Sequence, residues 1–129
     1  MLYLKRVMLR IRNSLMAASI ARSLGKDHSF LVTDIGTADD IAEQCTANQT
    51  DILLMEATYG IGTTLEDCLR KIRMLHKQCP RCKVVLLCDD NSVPEIARQV
   101  AQVKRDGLIT DFIYTSVSET YLTALLTAI

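Results

Sequence analysis

The stretch DILLMEATYG, residues 51–60, decides how this chain is read. Ile52, Leu53, Leu54 and Met55 are apolar on consecutive positions, as a strand needs when both of its faces are covered in a parallel sheet. The next residue, Glu56, is an acid placed where the strand ends. An ionised carboxylate beside a dry core is costly unless something pairs with it, so Glu56 is functional, partnered or turned to solvent.

Outward from this stretch, strand-like and helix-like segments alternate with short connections. Residues 7–11, 30–33, 52–55, 84–88 and 112–114 read as strands, and 15–24, 39–47, 65–77, 94–103 and 119–129 as helices. VVLL at 84–87 repeats the continuous apolar pattern. Leu65, Cys68, Leu69, Ile72 and Leu75 recur at spacings of three and four and make one apolar helical stripe. A Ser or Thr followed three residues later by an acid can satisfy two helix-end donors reciprocally. That pattern occurs as Thr37 with Asp40, Thr63 with Glu66, Ser92 with Glu95 and Ser116 with Glu119. The alternation predicts a three-layer, doubly wound α/β sandwich with helices on both faces of a five-stranded parallel sheet in flavodoxin-like order 2-1-3-4-5. Ligands of such a sheet bind beyond the carboxyl ends of the strands where the order reverses, between strands one and three, and Glu56 stands there.

A chain of 129 residues fits one domain. Fifteen basic residues cancel fifteen acidic ones, so no overall field favours nucleic acid or an anionic membrane. MLYLKRVMLRIRN mixes apolar and basic residues, unlike a signal peptide, and no run of about 18 apolar residues occurs. The expectation is a cytoplasmic protein. Five cysteines without an export signal read as reduced thiols, with Cys45, Cys68 and Cys88 in the core. Cys79 and Cys82 of CPRC have the spacing of a redox dithiol or half a zinc site. They follow a helix and lack a second ligand pair, which favours a structural reading. Gly60-Ile61-Gly62-Thr63-Thr64 precedes a helix and reads as a loop, since Glu66 and Asp67 would repel a phosphate. His28 and His76 lie away from the switch point.

The runs RVMLRIRNSLMAASIARSL, DILLME, KVVLLC and DFIYTSVSETYLTALL, in this order and spacing, resemble a response-regulator receiver domain (CheY-like) over essentially the whole chain. The resemblance implies magnesium-binding acids after the first strand, but those positions are Ile11 and Arg12. Glu56 stands for the phosphoacceptor aspartate, Cys88 for the Ser or Thr that contacts the phosphoryl group, and Thr115 followed by Ser116 for the Lys-Pro pair. The chain is therefore expected to be a degenerate pseudo-receiver, not an enzyme, with no metal and no cofactor. Magnesium usually takes one or two carboxylates, and Arg12 would bring a fixed positive charge instead. Without metal, and with Glu56 one methylene too long, phosphotransfer should fail.

A charge-assisted Arg12–Glu56 pair is expected to hold the site; the alternative is a solvent-facing Glu56 and an Arg12 lying along the surface. Two rival functions are an active phosphoacceptor receiver using Glu56, Asp89 or Asp90, and a small-molecule or nucleotide-binding module. The resemblance also implies partner contacts through Ile96, Gln99, Val103, Tyr114 and Tyr121, for self-association or control of an output domain. The chain ends at LLTAI without a local helix cap, so residues 1–129 are expected to be the N-terminal part of a longer transcriptional regulator. DNA contact would then belong to a C-terminal domain outside this chain.

Overall fold

The structure, a computed structural model, describes residues 4–58, 62–89 and 94–129. Strands β1 (Lys5–Arg10), β2 (Phe30–Asp34), β3 (Ile52–Ala57), β4 (Lys83–Cys88) and β5 (Asp111–Tyr114) form one parallel sheet in the order β2-β1-β3-β4-β5. Between and after them run α1 (Ser14–Gly25), α2 (Ile41–Asn48), α3 (Leu65–Gln78), α4 (Pro94–Arg105) and α5 (Glu119–Ala128). The expected doubly wound sandwich is what the chain adopts. The first strand starts two residues earlier than expected and stops at Arg10, which leaves Ile11 just beyond it.

The two sides of the sheet carry separate apolar clusters. Val7, Leu9, Leu54, Val85 and Leu87 meet Ala17, Ile20 and Leu24 of α1 and Leu122 and Leu126 of α5. Met8, Leu53, Met55, Val84 and Leu86 meet Ile41 and Cys45 of α2, the α3 stripe, and Val100 of α4. This two-sided cover explains why the central strands are apolar on successive residues: both alternating faces are dry. The edge strands are half-exposed by comparison, and Leu31 on β2 remains exposed. Within α3, Leu65, Cys68, Ile72 and Leu75 are buried as the periodicity requires, with Leu69 half-buried. Each such Leu or Ile contributes about 1.5–3 kcal/mol of transfer free energy.

The helix starts differ from the expected pairs, and only α3 joins a hydroxyl to an acid three residues on. At α3 the cap is Thr64, whose Oγ1 accepts from the Asp67 amide at 3.2 Å and donates to the Asp67 carboxylate at 2.9 Å. Thr63 cannot serve, because it is buried and its hydroxyl bonds Thr58. At α5 the cap is Ser118, accepting from the Tyr121 amide at 3.1 Å, and not Ser116. α2 begins after Asp40, which makes no side-chain cap bond, and Thr37 stays in the preceding loop. Ser92 lies outside the described residues. The far end of α5 finds its cap across the fold: Lys5 Nζ donates to the carbonyls of Leu126 at 3.0 Å and Ile129 at 2.7 Å, where a cation also suits the helix dipole.

Candidate functional site at the carboxyl ends of the strands

The strand order reverses between β1 and β3, where an open α/β sheet leaves a crevice beyond the strand ends. The register pairs Arg10 with Met55, so the next residue, Ile11, comes level with Glu56. Glu56 is only 8% exposed, which removes the solvent-facing reading. Its Oε1 accepts from the backbone amides of Arg12 at 2.8 Å and Asn13 at 3.4 Å. Asn13 is the N-cap of α1, accepting from the Met16 amide at 3.1 Å. The first turn of α1 holds no acid of its own, and Glu56 brings an anion to that positive helix end from β3.

The expected Arg12–Glu56 ion pair is not formed. Arg12 is exposed, and the contact runs through its N–H. The physical reason is where β1 stops: after Arg10 the chain turns its amides toward the carboxylate while the guanidinium stays in solvent. Backbone donors serve a carboxylate without the rotamer entropy that an arginine side chain would lose.

The arginine that matters structurally is Arg10. The pleat puts Met8 and Arg10 toward α2 and α3, and Leu9 and Ile11 toward α1 and α5. Glu56 follows Leu54 onto the α1 side, so Arg10 and Glu56 are carried on opposite faces. Arg10 is 2% exposed. Its Nε donates to Ala38 O at 3.0 Å and its Nη2 to Gly62 O at 3.2 Å, with Asp39 Oδ1 at 3.7 Å. Its Nη1 is buried without a hydrogen-bond partner. Lys71 Nζ joins the cluster, donating to Asp39 Oδ1 at 2.7 Å and Gly62 O at 3.3 Å. The hydrogen bond and charge of Lys71 hold the Asp39 carboxyl below its usual range. Beside them, burial pushes the Cys68 thiol up to about 11 despite the opposing charges of Arg10 and Lys71. Arg10 therefore fastens the loops that follow β2 and β3 to the end of β1. The detectable sequence clue was parity, since Arg10 falls in step with Met8 at the buried end of a strand whose other basic residues, Lys5 and Arg6, sit at its less buried start.

The other anticipated residues are spread around this edge. Cys88, level with Ala57, is buried in the α3 side of the core, and burial pushes its thiol up to about 11. Thr115 is exposed just past β5, its amide bonded to Cys88 O at 2.9 Å. It lines a cleft of about 170 Å³ with Met16, Leu87 and Leu122, below the roughly 300–1,000 Å³ of small-molecule pockets. Asp89 follows β4, and Asp90 lies outside the described residues. On the expected partner face, Gln99, Tyr114 and Tyr121 are exposed, whereas Ile96 and Val103 are half-buried against the core.

A receiver fold implies a divalent cation, and the residues at the β1–β3 junction do not fit one. One oxygen of Glu56 is already engaged by two amides, Ile11 is apolar, and Arg12 offers no oxygen ligand from its side chain. Among the described residues no group of three or more His, Cys, Asp or Glu side chains is arranged to hold a metal.

No protein-family model matches the chain, and no curated protein does. Solved structures do. An orphan response regulator of Helicobacter pylori, HP1043, is 18% identical with a TM-score of 0.75, covering 96% of this chain and 94% of that one. A CheY-like response regulator receiver domain protein from Methanospirillum hungatei gives 14% identity and a TM-score of 0.77 over 97% and 92%. A response regulator from Desulfuromonas acetoxidans gives 19% and 0.74 over 96% and 94%. With the strand order, the helix cover and the switch point all in agreement, the chain has the fold of CheY-like response-regulator receiver domains.

Proposed function

We propose that this chain is a noncatalytic receiver-like signalling domain that works through protein contacts without phosphorylation. The observation that carries the reading is the engagement of Glu56 by the amides of Arg12 and Asn13. An acid at the phosphoacceptor position is useful as a nucleophile only if its oxygen is free to attack and its charge is offset by a cation. Here the chain's own loop engages one of the two oxygens, Oε1, and the acids expected after β1 are replaced by Ile11 and Arg12. Glu56 and Arg10 are each hydrogen-bonded by backbone groups of neighbouring loops, which ties the end of the sheet together. Such a domain acts as a constant surface. Gln99, Tyr114 and Tyr121 on the α4, β5 and α5 side are exposed and suited to self-association or to an output domain. Transcriptional control through a DNA-binding domain outside residues 1–129, in the cytoplasm, belongs to the same proposal. Among the described residues no helix is long and apolar enough to cross a membrane.

The test is exposure to a small acyl phosphate with magnesium, followed by intact-mass measurement. The expected mass is unchanged, for the native chain and for Glu56→Gln alike. A gain of one phosphoryl group that disappears in Glu56→Gln would overturn the proposal and restore the active receiver.

A further inference from the structure

The equal totals of 15 basic and 15 acidic residues hide a segregation of charge. No acid occurs from residue 68 to residue 88, while α3 and the turn after it carry Arg70, Lys71, Arg73, Lys77 and Arg81. At about 100° per residue, Arg70, Arg73 and Lys77 fall within about 60° of one another, on the side of α3 away from the buried Cys68, Ile72 and Leu75. All three are exposed. Arg70 donates to Asp67 at 2.9 Å within its own helix, whereas Arg73 and Lys77 have no ion pair or hydrogen bond among the described residues. The adjoining strip of α3, Lys71, Met74 and Gln78, faces α2 and lines a groove of about 290 Å³ with Asp39, Asp40 and Glu43. Lys71 closes one edge of that groove through its 2.7 Å bond to Asp39 Oδ1. The three acids are exposed, and Glu43 has no partner among the described residues. Met74 is 57% exposed and stands between the acids of α2 and the bases of α3.

We propose that this α2–α3 face is a homodimer surface, in which Asp40 and Glu43 of each copy meet Arg73 and Lys77 of the other across a two-fold axis at Met74. One face shows an acidic strip, an exposed methionine and a basic strip side by side. A polyanion laid on the bases meets the acids of α2, and a cationic segment in the groove meets the bases of α3. A partner of one sign is thus repelled by half of the face. A surface carrying the same strips in inverted order is attracted by both, and a second copy of this chain presents one. A two-fold axis in the contact plane, running between the strips, brings acid to base twice, as an isologous contact requires. It also sets Met74 against its own counterpart, where a flexible thioether adapts to the packing. The charges fix orientation and encounter rate, and the methionines supply apolar burial at the centre. With a formal net charge of zero, no overall repulsion opposes the pairing. Tyr114 and Tyr121 stay uncovered, because β5 is the far edge of the sheet and α5 packs on its other side. The dimer does not depend on whether Glu56 accepts a phosphoryl group.

The experiment is sedimentation velocity on residues 1–129 across a range of concentrations, at ionic strengths of about 0.1 M and about 1 M, between which the Debye length falls from about 10 Å to about 3 Å. The expected result is a monomer–dimer equilibrium whose Kd rises by about fivefold or more at the higher salt. Glu43→Lys and Lys77→Glu should each raise Kd by about tenfold or more, and the two together should return it to within about threefold of the native value, because the exchanged charges still oppose each other. Met74→Asp should abolish the dimer. Arg22→Glu, the same charge reversal on exposed α1, should leave it unchanged. Every substituted position is exposed, and the concentration and salt dependence of the native chain are read without any substitution. A native chain that is monomeric at every concentration, a dimer indifferent to the single reversals, or a double variant no better than the singles would overturn the proposal. So would a monomer that instead binds a duplex oligonucleotide or anionic vesicles and loses them in Lys77→Glu, which would give the basic strip to a polyanion.

Discussion

Two buried charges sit one residue level apart at the end of the same sheet, on opposite faces, and the chain treats them differently. Glu56, on the α1 side, receives two backbone N–H groups at the start of a helix. Arg10, on the α2 and α3 side, gives hydrogen bonds to two loop carbonyls and still keeps Nη1 without a partner. The anion is met by the amides of the N-cap Asn13 and of Arg12 just before it, at a helix end that favours negative charge, so it costs little to house. The guanidinium has five donors to satisfy and meets fewer acceptors, so its desolvation is less completely offset. The comparison teaches that Glu56 is an inexpensive lock, whereas Arg10 is a costly clamp whose value lies in what it holds together.

The largest effect should come from Arg10→Ala. It leaves a cavity and removes the donors to Ala38 O and Gly62 O, a loss of roughly 3 kcal/mol read from urea unfolding. Arg10→Met keeps the volume and removes the desolvated charge, and should recover at least half of that loss. If Met proves as damaging as Ala, the hydrogen bonds outweigh the packing, and Arg10 is a better-housed charge than the comparison holds.

On the other face, Glu56→Ala should cost about 1–3 kcal/mol by leaving two amides unanswered. Glu56→Gln should cost under about 1 kcal/mol, because an amide carbonyl can still accept both bonds. Arg12→Ala should change stability by no more than about 0.5 kcal/mol, as for other exposed positions, and should add to Glu56→Gln without coupling. A double-mutant coupling above about 0.5 kcal/mol would reinstate the side-chain pair that the structure replaces with a backbone contact.

The smallest effect is a pH dependence. Asp39 and Asp67 have carboxyls held below the ordinary 3.8, by Lys71 and Thr64 respectively. A depressed folded value means the stabilisation is present above the unfolded value near 3.8 and is lost as pH falls through the folded one. Melting temperature should therefore decline below about pH 4, and Asp39→Asn should shallow that decline slightly, since Asp39 is 84% exposed and screened.

The fold was legible because it rests on local patterns. Continuous apolar strands such as VVLL and the three-and-four spacing of α3 are direct consequences of two-sided cover and helical pitch. Two of the expected helix caps were legible in kind, slipped by one residue at α3 and by two at α5, whereas α2 has no side-chain cap where Thr37 was expected to supply one. Neighbouring hydroxyls compete for the same role, and burial of Thr63 against Thr58 decided that Thr64 would take it. The candidate site was half legible. That Glu56 stands at the switch point follows from strand order, but which donor reaches it does not.

The sequence by itself determined the alternation of elements, the parallel sheet, and the place of Glu56 at the end of the third strand. These depend on residue type and spacing along the chain. Only the tertiary structure decided that Glu56 bonds amides and not a guanidinium, that Arg10 and not Arg12 is the buried cation, and that Lys5 caps α5. Each of these depends on where a strand stops and which way its last side chain faces. One residue of register moves a side chain to the other side of the sheet, and residue type alone does not carry that information.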